Sequence, residues 1–224
     1  MPIYLLDEKL IFPPVEKAEK GIVAIGGDLS VERLLLAYKS GIFPWFSKGE
    51  PVIWWSPDPR FILMPDELHV SKSMKRVLNS NTFTVTFDTV FDDVIKQCAL
   101  VERKGEDDTW ITNSMIKAYN KLHEAGYAHS VEVWKENALV GGLYGVSLGK
   151  AFFAESMFHT VTNASKFALI KLVELIRQKD FHFLDAQVHT DHVATLGAKN
   201  ITRKKFIKLL EKSLQEETWK GKWN

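Results

Sequence analysis

Residues His129–Glu155 read HSVEVWKENALVGGLYGVSLGKAFFAE, and this stretch decides the architecture. Three strand-like segments, His129–Trp134, Leu139–Val146 and Ala151–Glu155, are separated by turn residues at Glu136-Asn137 and Leu148-Gly149. Runs of that length broken by such turns predict a meander of three strands. Upstream, Thr82–Asp88 alternates Phe83, Val85 and Phe87 with Thr84 and Thr86, the period of a half-buried strand. Val90, Phe91, Val94, Ile95, Cys98 and Ala99 then recur at helical spacing. After a charged loop comes a second helix, with Thr112 as its cap, Met115, Ile116, Tyr119 and Leu122 as its apolar face, and Gly126 at its end. Downstream, the pattern predicts a long helix over Asn163–Gln178, a strand over Phe181–Gln187, a short helix over Asp191–Leu196 and a last helix from Thr202.

Residues 1–60 read differently. Pro13-Pro14, Gly26-Gly27, Pro44, Pro51, Pro57 and Pro59 punctuate them, and only one helix is predicted, capped by Ser30, running over Glu32–Tyr38 and followed by Gly41. The expected organisation is a small irregular N-terminal domain, 1–60, before a catalytic domain, 61–224. The order β-α-α-β-β-β-α-β-α-α from residue 61 is similar to the GNAT-type acyltransferase fold. The fold class is therefore read as α+β, a GNAT-like domain with a mixed central sheet. Fold order alone is a weak guide to function, but this one points to acyl transfer.

The chain has 224 residues, 46% hydrophobic and 25% charged, with a formal net charge of +1, so composition alone does not announce a nucleic-acid binder, and any RNA affinity must come from how charge is distributed. The single cysteine, Cys98, lies on an apolar helix face and reads as a core thiol. Asp7, Glu8 and Lys9 interrupt the apolar start, and nowhere do 18 apolar residues run together. No signal peptide or membrane span is expected, and the cytoplasm is the expected location.

Two motifs invite other chemistries. Gly145-Val146-Ser147-Leu148-Gly149 matches a nucleophile elbow, with Asp185 and His189 following in order. An elbow leads into a helix, however, whereas Lys150–Glu155 reads as a strand. His189-Thr190-Asp191-His192 lacks the further convergent ligands a metal needs, so polar residues at a strand-to-helix corner are the better reading, and no metal is expected. The competing function is a CoA-dependent GNAT-type N-acetyltransferase. Enzymes of that type hold the CoA pyrophosphate in a Gly-rich turn before the long helix, but residues 156–164 contain no glycine. The expected acyl donor is therefore not CoA, and no cofactor is expected.

Lys204, Lys208 and Lys212 recur every four residues along the last helix, with Arg203 and Lys205 at its start, while Lys72, Lys75 and Arg76 form a second basic group. Each reads either as a solvated face or as a phosphate contact. Trp45, Trp54, Trp55 and Trp110 stand in loop-like context, where indoles serve as platforms for an unstacked base or, for Trp54 and Trp55, as packing between domains.

Longer words of sequence then carry a resemblance. They include Ile25-Gly26-Gly27-Asp28-Leu29-Ser30, Gly41-Ile42-Phe43-Pro44-Trp45-Phe46-Ser47 and Trp54-Trp55-Ser56-Pro57-Asp58-Pro59-Arg60. Thr109-Trp110-Ile111-Thr112, Gly141-Gly142-Leu143-Tyr144-Gly145, Glu155-Ser156-Met157-Phe158, Asn163-Ala164-Ser165-Lys166 and Asp185-Ala186-Gln187 continue the series. Together they resemble the leucyl/phenylalanyl-tRNA–protein transferase family over nearly the whole chain. The departures are slight: Ala186 stands where cysteine is common and Thr195 where serine is common. The resemblance implies transfer of Leu or Phe, less readily Met, from aminoacyl-tRNA to proteins beginning with Lys or Arg, marking them for N-degron degradation. It also implies no cofactor, and a monomer is expected.

The donor ester is already activated, so catalysis is mainly positioning. An α-amino group with pKa about 7.7–8.0 is roughly one-fifth neutral near cytoplasmic pH, whereas a lysine side chain near 10.4 is about one part in a thousand neutral. Asp185 and Gln187, two apart on the predicted strand, are expected on one face, with Gln187 accepting a hydrogen bond from the amine and Asp185 orienting it or taking the proton. Glu155 is expected to pair with the acceptor's basic group. Trp45 and Trp110, with Tyr38 and Tyr119 nearby, are expected to hold the terminal adenosine of the tRNA. The resemblance points to Leu143, Ala154, Leu169, Leu172, Ile176 and Leu184 as the donor side-chain pocket, and such an apolar slot discriminates by about 1–3 kcal/mol per methylene. Lys72, Lys75, Arg76, Arg203, Lys204, Lys208 and Lys212 are the expected phosphate contacts. If so, affinity for aminoacyl-tRNA falls with salt, and each Lys→Ala change on the last helix flattens the log–log slope by about 0.7–0.9. A charge-reversed stripe with an unaltered slope would mark an ordinary solvated face.

Overall fold

The computed structural model describes residues 4–101 and 109–223; most of the predicted charged loop falls at 102–108, outside the described residues. Two sheets are present. The smaller joins β1 (Tyr4–Leu6), β2 (Ile22–Gly26), β3 (Phe43–Pro44) and β4 (Ile53–Trp55) in the order β1-β2-β4-β3, and carries α1 (Val31–Lys39). The larger joins β5 (Arg60–Leu63), β6 (Thr84–Phe87), β7 (Ala128–Lys135), β8 (Ala138–Leu148), β9 (Ala151–His159), β10 (Phe183–Asp185) and β11 (Lys199–Ile201). Its order is β11-β5-β10-β9-β8-β7-β6. The helices are α2 (Lys72–Asn79), α3 (Phe91–Ala99), α4 (Asn113–Glu124), α5 (Ala164–Gln178), α6 (Asp191–Ala194) and α7 (Arg203–Ser213).

The fold is α+β with a mixed central sheet. Strands β7, β8 and β9 form the antiparallel meander, and α5 carries the chain over to β10, parallel to β9, which is the GNAT-like arrangement. Glu136 and Asn137 both take positive φ, 51° and 64°, as a tight hairpin turn requires. The second turn closes at Gly149-Lys150, one residue later than expected. The caps fall where the residues predict: Ser30 accepts from the Arg33 N–H at 3.3 Å, and Thr112 accepts from the Met115 N–H at 3.4 Å.

Side chains alternate across the large sheet. Leu63, Leu143, Phe152 and Leu184 face α5 and α2, while Ile62, Tyr144, Phe153 and Phe183 face the opposite layer of α3, α4 and α7. Helix α5 buries Phe167, Ala168, Leu169, Ile170, Leu172, Val173 and Ile176, an apolar surface too wide for one face, so it is covered on more than one side. Cys98 is buried in the core, as expected. That core is continuous with the first 60 residues: Leu34, Ala37, Tyr38 and Trp54 belong to the same apolar cluster as Met115, Tyr119, Tyr144 and Phe153.

Four elements of the sheet and its flanks depart from expectation. β5 is a four-residue run after a Pro-rich stretch, paired antiparallel with β10 and β11, and β11 is three residues with only Ile201 apolar, paired with β5. α2 is short and mostly polar, held by the Ser71 cap. The strand predicted over Phe181–Gln187 spans only Phe183–Asp185, because Gln187 turns to φ 57° and leaves the extended region. The small sheet itself lies in a region read as irregular. No helix among the described residues is long and apolar enough to cross a membrane.

One irregularity places a functional side chain. Across β8 and β9, Tyr144 faces Ser156 and Gly145 faces Ala154, so Glu155 is an extra, bulged residue. The strands approach so closely there that a Cβ on Gly145 would lie 2.2 Å from the Phe153 carbonyl oxygen. Gly145→Ala is expected to destabilise the protein by about 1–3 kcal/mol through overpacking against backbone. Urea denaturation measures it, and an unchanged midpoint would show that the bulge gives way freely.

Candidate active site

β9 and β10 pair only through Ala151–Phe153 and Phe183–Asp185, then part. Between the diverging ends lies a cavity of about 500 Å³, lined by β9 residues Ala154–His159, by Leu184, Ala186 and Gln187, by Leu169 of α5 and by Val193 and His192 of α6. Trp45 and Phe43 close it from the small sheet, and Trp110 and Val101 from beside α3 and α4. The walls are mostly apolar; Glu155 and Gln187 meet in them, and His159, Ser165, Thr190 and His192 are further polar lining residues.

Behind those two residues stands a buried ion pair. Arg60 donates from Nε to Asp185 Oδ1 at 2.9 Å and from Nη2 to Oδ2 at 2.6 Å, and both side chains are fully buried. Its Nη1 donates to the Gly41 carbonyl at 3.1 Å, while the guanidinium lies over Phe43 and Phe206, 4.9 and 4.4 Å from their ring centres. Asp185 Oδ1 also accepts from the backbone N–H of Gln187 at 3.0 Å. That bond holds Gln187 in the left-handed region, which a non-glycine residue occupies at a cost and which commonly marks a functional site. Asp185 and Gln187 are thus adjacent, but through this turn and not through two-residue alternation on one strand. Both oxygens of Asp185 accept from Arg60, and its side chain stands behind the cavity and not in its lining.

Glu155 lies at the centre of the polar end. Its Oε1 accepts from the Tyr38 hydroxyl at 2.8 Å and from Gln187 Nε2 at 3.1 Å, and its Oε2 accepts from the Tyr119 hydroxyl at 2.9 Å. The two hydroxyls also contact each other. Burial pushes the Glu155 carboxyl up to about 7, and the Asp185 charge adds to the rise, against the tyrosine hydrogen bonds and Arg60, which lower it. Burial, with Glu155 nearby, holds both phenols well above their ordinary value. With its Nε2 committed to Glu155, the Gln187 amide is left with Oε1 as its acceptor.

Several expected site residues take other places. Tyr38 and Tyr119 are fully buried and present no ring face to a base; they serve Glu155 instead. Trp45, 38% exposed, and Trp110 do line the cavity, whereas Trp54 is packed edge-on against Phe12 in the core. Of the expected pocket, Ala154, Leu169 and Leu184 line the cavity. Leu143, Leu172 and Ile176 belong to the core between α5 and the sheet, because the cavity touches only the first turns of that helix. Met157, Phe158, Ala186 and Val193 are cavity walls that pattern reading missed, although the first three lie in the quoted words. Arg60 was missed as well; the signal was a lone arginine closing a Pro-rich word before an apolar run.

Lys72, Lys75, Arg76, Lys204, Lys208 and Lys212 are exposed, on α2 and α7. Arg203 is engaged differently: its Nη1 donates to the Ser56 carbonyl at 2.7 Å, and its N–H donates to Asp58 at 3.0 Å, bracing the link between the sheets. Ser147 is buried inside β8 and the chain turns into β9, so no elbow forms. Among the described residues no three His, Cys, Asp or Glu side chains converge on a possible metal position. The first four residues of the glycine-free stretch, 156–159, lie in β9, and Asn163 precedes α5 at φ 74°.

The leucyl/phenylalanyl-tRNA protein transferase family model matches residues 62–211, and the model of that family's N-terminal domain matches residues 27–58. This chain belongs to the leucyl/phenylalanyl-tRNA–protein transferase family. It is 53% identical over 226 residues to the transferase of that name from Syntrophobacter fumaroxidans, covering 99% of this chain and 97% of that one. To the Myxococcus xanthus protein of the same name it is 51% identical, covering 100% and 97%. Among solved structures, an aminoglycoside acetyltransferase from an uncultured soil metagenomic sample aligns with TM-score 0.38 and 17% identity over 51% of this chain and 84% of that one. Family membership places the chain among the aminoacyltransferases.

The ion pair gives a direct test of this geometry. Removing one partner of a buried pair leaves an uncompensated charge, so Arg60→Met is expected to cost about 3–5 kcal/mol of stability. Arg60→Met combined with Asp185→Asn should recover part of that loss. Equal loss in the single and double variants, by chemical denaturation, would show that packing of Arg60 on Phe43 and Phe206 matters more than its charge.

Proposed function

We propose that this protein transfers Leu or Phe, less readily Met, from aminoacyl-tRNA to the α-amino group of proteins beginning with Lys or Arg, marking them for N-degron degradation. The observation that carries the reading is the apolar cavity ending at Glu155 and Gln187. It offers a slot for an apolar side chain beside groups that suit an amine. In this reading the donor side chain lies against Ala154, Leu169, Leu184 and Met157, and the terminal adenosine rests on Trp45 and Trp110 at the rim. The exposed lysines of α2 and α7 contact tRNA phosphates.

Chemistry then follows from positioning. The ester needs no further activation, and a bound amine held against it reacts at a high effective concentration. Gln187 Oε1 accepts one N–H of the amine, which aims the nitrogen lone pair at the carbonyl carbon. Asp185 and Arg60 fix the backbone from which Gln187 projects. The carboxyl of Glu155, ionised above about pH 7, gives the negative charge that favours an acceptor with a basic first residue.

The test is to incubate purified protein with leucyl-tRNA and a peptide beginning with Arg, then weigh the peptide. A gain of one leucyl residue is expected, abolished when the peptide's α-amino group is acetylated and unaffected when its lysine side chains are. No mass change with leucyl- or phenylalanyl-tRNA would overturn the reading.

A further inference from the structure

Three side chains close into a ring at the inner end of the cavity: the carboxyl of Glu155 and the hydroxyls of Tyr38 and Tyr119. Every pair among them is within hydrogen-bonding contact, which makes three contacts. A hydrogen bond needs one proton, and two neutral phenols supply two. The third must come from Glu155 itself. In the protonated ring Glu155 Oε2–H donates to Tyr119, Tyr119 donates to Tyr38, and Tyr38 donates to Glu155 Oε1, so all three contacts are hydrogen bonds. With Glu155 ionised, both phenols turn to the carboxylate and the contact between them holds no proton. The ring therefore has a built-in place for one extra proton, on a residue that also lines the cavity.

Formation of an amide from an ammonium group and an ester must release one proton. Asp185 is fully buried behind the cavity, outside its lining, with both oxygens accepting from Arg60. Gln187 is an amide and does not take protons at these pH values. Glu155 is bonded to Gln187 at 3.1 Å and faces the same space. Resting on the transferase reading above, we infer that Glu155 is the base that takes the proton of the acceptor's α-ammonium group, with Tyr38 and Tyr119 as positioning residues that hold it there.

The steps balance. An N–H bond of the ammonium group breaks, its electron pair stays on nitrogen, and the proton forms an O–H bond on Glu155. The freed pair attacks the ester carbon, a C–N bond forms and the bond from that carbon to the ribose oxygen breaks. A second N–H proton passes to the ribose oxygen, leaving amide and hydroxyl as products. The proton on Glu155 then leaves for solvent and resets the ring.

Energetics agree with this geometry. A carboxyl near 7 stands close to an α-amino group at about 7.7–8.0, so transfer between them is nearly level, where an acid–base group is most effective. Tyr38 faces Glu155 from α1, Tyr119 from α4, Arg60 from β5 and Asp185 from β10, and Tyr144 of β8 acts on both tyrosines. Of these groups Glu155 is the one that lines the cavity.

The test uses single-turnover rates at saturating leucyl-tRNA and saturating Arg-initiated peptide, from about pH 6 to about pH 9. Glu155→Gln is expected to slow the saturated rate by about 10²–10⁴-fold and to remove the limb that rises through neutrality. Tyr119→Phe takes away a charge-assisted hydrogen bond to the ionised carboxylate, which outweighs the neutral bonds lost from the protonated ring, so the same limb should move to higher pH, with the rate regained on the alkaline side. A Glu155→Gln variant that raises KM for the peptide but keeps the saturated rate within about threefold would overturn the proposal and make Glu155 only a counter-ion for the acceptor's side chain. Should Glu155→Gln not fold, Tyr119→Phe decides: a limb left in place overturns the assignment. Absence of transfer by the wild-type protein is a different outcome, since it removes the transferase reading itself.

Discussion

The buried pair between Arg60 and Asp185 is the constraint on which the site depends. Two opposite charges without solvent contribute little net stability, because the loss of hydration offsets most of their attraction. What the pair supplies is position. Its guanidinium is bonded to Gly41 ahead of β3, lies over Phe43 of β3 and Phe206 of α7, and grips Asp185 at the end of β10. Segments distant in sequence are thereby registered on one planar group. Asp185 passes that registration to Gln187 through a backbone hydrogen bond, and Gln187 passes it to Glu155 through its amide.

The second contribution is topological. Parallel strands joined by a long helix stay paired only as long as their backbones remain in register, and β9 and β10 do so for three residues. Beyond that point their unpaired edges enclose a space that α5 and α6 roof with apolar side chains. The bulge at Glu155 interrupts alternation at the inner end of this space and re-aims one carboxyl into it. Gly145 permits the close approach that the bulge needs, so a glycine in β8 and a glutamate in β9 form one feature. The ring of Tyr38, Tyr119 and Glu155 then draws on α1, α4 and β9 together, which ties the first 60 residues to the chemistry of the larger sheet.

Local signals made much of the scaffold legible. The alternation and turn residues of 129–155 specify the meander, since a period of two and a pair of positive-φ residues admit few other conformations. Ser30, Thr112 and Gly126 mark helix ends because capping is decided within four residues of chain. Asp185, Gln187, Glu155, Trp45 and Trp110 were found through long words of sequence, and the geometry gathers them around one cavity or directly behind it. β5 and β11 were not legible: β5 is a short apolar run that becomes a strand by pairing with both β10 and β11, and β11 has one apolar residue and pairs with β5.

By itself, the sequence determined the meander, the long buried helix, the helix caps and the residue types gathered around the cavity, all consequences of short-range periodicity and backbone preference. Only the tertiary structure decided what those residues do. Tyr38 and Tyr119 carry the same letters whether they stack on a base or bond a carboxylate, and only burial between α1 and α4 assigns them to Glu155. Leu169 and Leu172 are alike in pattern, and only the end of the cavity separates wall from core. Arg60 and Asp185 are 125 residues apart, so no local rule could pair them. Long-range contacts are set by the packing of whole elements, and charge, burial and proton affinity are properties of that packing.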